Sequence, residues 1–253
     1  GYGKVIYITH PKKNITSVYA HLKGFPKNID RFLKEAMLEQ KKNEIDLYPG
    51  KNQLLVNKGE VIGFSGNTGG STAPHLHFEI RETVSEKPIN PMLFGFDVKD
   101  HKAPYLFGIQ FYTLNEKGYL TQERSPYYYF YNKSSKTISL PDHFVRKGDR
   151  IMVGVDANDY LDAAGNKCGV YEIILADAND TLYQMRLDRL SFENNRYINC
   201  HMDYKSYNDD RKNTHKCYVN PVNQLNIYHH DKKNLISLEK DKEYYITLID
   251  VNN

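Results

Sequence analysis

Apolar and polar positions change period along the chain, and the changes divide it. Residues 4–10 (KVIYITH) and 16–22 (TSVYAHL) alternate or run apolar with β-branched and aromatic side chains. Pro11 and Asn14 lie between them, so the pattern predicts a β-hairpin. In residues 25–50 the period changes. Ile29, Phe32, Leu33, Ala36 and Met37 recur at i, i+3, i+4, i+7 and i+8, the stripe of an amphipathic helix over about 25–48. Asn28 is the candidate N-cap, and Tyr48-Pro49-Gly50 closes the segment in a turn. Strand patterns resume at QLLVN (53–57), EVIGFSG (60–66) and HLHFEIR (75–81), with glycine-bearing turns between them.

Pro88, Pro91 and Pro104 punctuate a stretch without period, and residues 98–104 read as a linker between domains 1–97 and 105–253. Beyond it come short strand patterns, among them FGIQFYTL, YYYFY, TISL, RIMVGVDA, GVYEIILAD, TLYQMRL, YINCHMDY, KCYVN, QLNIYHH and YYITLID. Turn residues separate them at the spacing of an all-β sandwich. The predicted fold class is mostly β with one inserted helix.

Composition narrows the function classes. The chain has 253 residues, 40% hydrophobic and 26% charged, which is globular rather than disordered. Its 21 tyrosines, 11 phenylalanines and absence of tryptophan suit sheet. A net charge of +3 with interspersed signs gives no basic stripe, so no nucleic-acid partner is expected. No run of about 18 apolar residues offers a membrane span. Cys168, Cys200 and Cys217 have no metal-type spacing; either Cys200 and Cys217 pair in an oxidising compartment or all three are buried free thiols.

The chemistry concentrates at SGNTGGSTAPHLHFEIR (65–81). On a strand His75 and His77 point the same way, roughly 7 Å apart at Cα, with Leu76 and Phe78 directed into the core. KGEVIGFSGNTGGSTAPHLHFEIR and SVYAHL together resemble the closing and middle motifs of the LytM/lysostaphin-type zinc metallopeptidases. The resemblance implies a β-sheet, barrel-like peptidase domain that cuts peptide cross-links of bacterial peptidoglycan in the cell envelope. It implies His77 as a ligand of Zn2+, and His21 and His75 as a catalytic pair beside it. The alternative is that all three are ordinary sheet histidines.

One family motif is missing. An H-x-x-x-D supplies the family's other two zinc ligands, and none occurs in the 253 residues. The resemblance places that motif upstream of a strand like GYGKVIYITH. The expectation is therefore that it precedes Gly1, and that residues 1–253 alone are inactive with little or no zinc. A catalytically inactive LytM-like regulator, or a wall-binding envelope protein, is the competing reading.

The second domain resembles the immunoglobulin-like sandwiches that accompany envelope peptidases. Its loop VDANDYLDAAGNKCG gathers Asp156, Asn158, Asp159, Asp162 and Asn166. Such oxygens can bind calcium, but the spacing is not an EF-hand and Asx turns need no metal. SPYYYFYN could stack on sugar rings, although at period two half of its rings belong to a core. His229 and His230 face opposite sides of a strand, which argues against a metal cluster with His201 and His215.

Overall fold

The alternating run near Gly1 does fold as a hairpin. A computed structural model of the protein describes residues 1–114, 127–139, 150–162, 164–231 and 242–252. In it β1 (Lys4–His10) pairs antiparallel with β2 (Ile15–Gly24). Pro11 opens the connecting 3-10 turn, and Asn14 closes it at φ 51°, a left-handed conformation that asparagine tolerates. Helix α1 (Lys27–Gln40) follows. It starts one residue ahead of the expected cap: Pro26, not Asn28, holds the N-cap position, with no side-chain cap bond. The predicted stripe of Ile29, Phe32, Leu33, Ala36 and Met37 is its half-buried face.

The next apolar runs yield less strand than their pattern predicts. QLLVN is turn and irregular chain, and EVIGFSG supplies only β3 (Phe64–Ser65). For β3 the limit is edge length. Along Ile15–Ala20, β2 is already paired on one side with β1 and on the other with β4 (His77–Glu82). Only the Leu22–Gly24 end is left for β3. The two-residue β5 (Pro88–Ile89) completes the sheet in the order β1-β2-β4-β5. Val18, Ala20, Leu22 and Ile80 are its buried apolar residues.

The chain divides into compact units 1–89 and 90–253. The second contains β6 (Tyr105–Leu114), β7 (Tyr127–Phe130), β8 (Arg150–Asn158), β9 (Glu172–Asp177) and β10 (Thr181–Arg186). Helices α2 (Ile198–His201) and α3 (Tyr204–Asp210) precede β11 (Thr214–Lys216), β12 (Tyr228–Asp231) and β13 (Tyr244–Ile249). Two antiparallel sheets result, ordered β11-β8-β6-β7 and β12-β10-β9-β13. Ile109, Phe111, Val153 and Val155 of one sheet share a core with Ile173, Leu175, Tyr183 and Met185 of the other, as facing layers must. Full burial of such side chains contributes roughly 1.5–3 kcal/mol each. The mostly-β expectation holds: all three sheets are antiparallel.

YINCHMDY forms helix, not strand. Outward-facing Gln110 and Tyr112 of β6 are buried and need partners, and both donate to Asp203 Oδ2, at 2.9 and 2.8 Å. Asp203 also caps α3 by accepting from Ser206 N. Tertiary hydrogen bonding thus overrides the β-propensity of tyrosine and isoleucine. Within YYYF the alternation is as expected: Tyr129 packs inward on Phe111 and Tyr128 turns out to donate to Asp156. TISL extends outside the described residues, and its described part is not strand. All three cysteines are free, and only Cys217 is fully buried. His201 and His215 are buried and joined Nε2 to Nδ1 at 3.0 Å, while His229 faces Asp188. Among the described residues no helix is long and apolar enough to cross a membrane.

Candidate active site

The glycine turn after β3 is held by threonine. Thr68 Oγ1 accepts from Lys4 N at 2.9 Å and donates to the Leu22 carbonyl at 2.8 Å. Gly70 N donates to Gly1 O at 2.8 Å, so the turn and residues 1–4 lie against each other. Gly69 has φ 77°, and a Cβ there would strike the backbone of Gly1 and Gly3. Gly69→Ala is therefore expected to destabilise the first unit by more than about 1 kcal/mol. Gly70→Ala, whose Cβ comes no closer than 3.1 Å, to Gly1 N, is expected to cost less. Thermal melting of the two variants checks this ranking.

Three histidines meet beside that turn. His21 sits where the β1–β2 register slips, at φ 58°. Such a bulge re-aims a side chain, and a left-handed non-glycine residue costs on the order of 1 kcal/mol. The ring centroid of His21 lies 4.8 Å from that of His75 and 5.6 Å from that of His77. His75 joins the sheet through a lone bridge to Gly66, just before β4 begins. The sequence pattern puts His75 and His77 on one side, and the fold brings the His21 ring to both. The pattern misplaces Leu76, which is 48% exposed rather than core, because regular pairing begins only at His77.

The partners fix each ring's tautomer. A carbonyl oxygen only accepts, so His21 Nδ1 donates to Thr68 O and His75 Nδ1 donates to Ala73 O, both at 2.8 Å. Each neutral ring then carries its lone pair on Nε2. His77 is reversed: Nε2 meets Glu79 Oε1 at 2.5 Å, which leaves the lone pair on Nδ1.

Glu79 is the centre of a second set of residues. Past His77, alternation on β4 puts Glu79 and Arg81 on the same face. Glu79 accepts from Arg81 Nε at 2.7 Å and from Tyr2 OH at 2.7 Å, and Arg81 donates to Tyr2 OH at 2.9 Å. The guanidinium also lies over the rings of Tyr2 and Tyr7. Burial pushes the Glu79 carboxyl up, but the bonds from Arg81, Tyr2 and His77 outweigh it and hold it at about 2. Sequence reading passed over Tyr2, Thr68, Glu79 and Arg81. The signal for two of them was present: H-x-E-x-R continues the period of H-x-H.

As metal ligands the residues fit in part. A histidine whose far nitrogen is bonded to a carboxylate is the usual form of a metal-binding imidazole, and His77 has that form. A catalytic zinc takes about three protein donors. Among the described residues, the histidines do not bring three donors within reach of one ion. Of the three histidines, His77 has a carboxylate behind its ring in this way.

Residues 44–91 match the sequence model of peptidase family M23, a LytM-type domain, a span that holds His75 and His77 and begins after His21. A stretch of 92 residues, 36% of the chain, is 35% identical to the DD-carboxypeptidase/endopeptidase Mpg of Neisseria meningitidis serogroup B. The protein of the same name from Neisseria gonorrhoeae matches equally, at 35% over 92 residues and 36% of the chain. The match spans 15% of the length of each of these relatives.

Proposed function

We propose, from the premise that residues 44–91 carry a peptidase family M23 segment, that this chain is part of a zinc-dependent endopeptidase. Its substrates would be the peptide cross-links of bacterial peptidoglycan, and its place the cell envelope. The observation that carries the reading is the set of tautomers. Two adjacent imidazoles present Nε2 as proton acceptors, and a third presents Nδ1 with a carboxylate behind it.

His77 Nδ1 would hold the metal, and Glu79 would keep the proton on Nε2 and the ring in place. Zinc, when bound, polarises the scissile carbonyl and acidifies water. His21 and His75 do the remaining proton work. One Nε2 accepts a proton from the attacking water, and an imidazolium returns one to the leaving amine. The remaining ligands would come from residues outside these 253, since H-x-x-x-D does not occur among them. The second unit would accompany the peptidase as an immunoglobulin-like sandwich.

Zinc content and release of muropeptides from purified peptidoglycan test the reading. The 253-residue chain is expected to hold well under one zinc and to release nothing. The parent protein is expected to bind one and to cleave. A parent that binds hydrolases of the wall without cleaving would favour the regulator instead, and stoichiometric zinc in the 253-residue chain would refute the shared site.

A further inference from the structure

Three aspartates distant in sequence converge at one end of the second unit. Asp100 precedes β6, Asp159 follows β8 and Asp250 follows β13. The topology brings the three together. Tyr105 pairs with Asn158, so β6 begins where β8 ends, and β13 ends in the facing sheet opposite the first residue of β9. The side chains are 7%, 5% and 5% exposed, and one carboxylate oxygen from each lies within 4.8 Å of the others.

Three carboxylates withdrawn from water at such spacing repel one another and lose solvation. The leading charge effects on Asp159 come from Asp250 and Asp100, and those on Asp100 from Asp250 and Asp162, all of one sign. A second observation points to a ligand: Asp100 Oδ1 is shielded from water and has no hydrogen-bond partner. The other two carboxylates are set in angle, since Asp159 Oδ1 accepts from Tyr160 N at 2.8 Å and Asp250 Oδ1 from Val251 N at 2.5 Å.

We propose that Asp100, Asp159 and Asp250 form a calcium site that ties the start of β6 to the ends of β8 and β13. The donors are all oxygen, which selects a hard cation over zinc or copper. Calcium–oxygen distances of about 2.3–2.6 Å let two ligands across one ion sit roughly 5 Å apart, which suits this spacing. Magnesium usually keeps several waters and few carboxylates, which a buried three-carboxylate site does not favour. Three other members of the same loop are engaged elsewhere: Asp156 accepts from Tyr128 OH and Asn213 N, Asn158 from the Asn213 side chain, and Asp162 from His101. Of that loop's described aspartates, Asp159 is the one in the cluster.

Calorimetric titration of the chelator-treated 253-residue chain with calcium chloride, and separately with magnesium chloride, tests this. One calcium per chain is expected, with Tm raised by roughly 5 °C once the ion is well above its Kd. Magnesium is expected to give less than half that shift. Asp159→Asn should weaken calcium binding more than about tenfold while leaving the metal-free Tm unchanged or higher, because it removes one of three like charges. Absence of heat and of any Tm shift up to about 10 mM calcium, beyond the weakest usual calcium sites, overturns the proposal in favour of a trio that shares protons. Undiminished binding by Asp159→Asn places the ion elsewhere and overturns it equally. Should that variant fail to fold, the titration of the unmodified chain still decides.

Discussion

Glu79→Ala is expected to destabilise the first unit by about 3 kcal/mol, because it removes the carboxylate that the buried Arg81 guanidinium meets at 2.7 Å. In a unit of this size that lowers Tm by roughly 15 °C. Glu79→Gln, which keeps an acceptor oxygen, should cost less. The same side chain predicts a pH profile. Folding lowers the Glu79 carboxyl from its ordinary 4.5 to about 2. Its contribution to stability is therefore fully present above about pH 4.5 and is lost as pH falls through about 2. With the side chain 14% exposed, solvent screens it little, and the contribution amounts to about 3 kcal/mol. Denaturant unfolding of the unmodified chain and Glu79→Gln across that window measures it. The difference between them should shrink towards acid, and a constant difference would show that the carboxylate is not the titrating group.

In the parent protein, His21→Asn and His75→Ala are each expected to lower kcat by about 10²–10⁴-fold while leaving zinc bound. Asparagine is the informative replacement at position 21. It tolerates the left-handed backbone held there at φ 58°, so the loss reports the imidazole and not strain. It can also still donate to the Thr68 carbonyl that His21 Nδ1 reaches at 2.8 Å. His77→Ala should instead lose the metal along with activity. Metal content measured beside kcat separates the two roles. A His21→Asn protein with full activity would remove His21 from the proton path.

The sequence by itself determined what depends on neighbours along the chain. Alternation fixed the first hairpin and the strand after H-x-H, and a 3.6-residue stripe fixed the half-buried face of α1. The motifs selected His21, His75 and His77 because their types and order carry the resemblance. Local period, however, cannot say whether a strand finds an edge. EVIGFSG is strand only at Phe64–Ser65 because β4 had already taken most of that side of β2. Nor can it weigh a buried partner against a propensity, which is why the need of Gln110 and Tyr112 for Asp203 turned YINCHMDY into helix.

The tertiary structure alone decided which nitrogen of each histidine is free. That depends on Thr68 O, Ala73 O and Glu79 Oε1, acceptors that only folding and local turn geometry bring into place. It also drew Asp100 and Asp250 to Asp159 from opposite ends of the second unit's sequence, a meeting that no spacing rule encodes. Pattern along a chain reports which face a residue occupies. Hydrogen bonds and charge clusters form between segments, so their partners are set by how the sheets close.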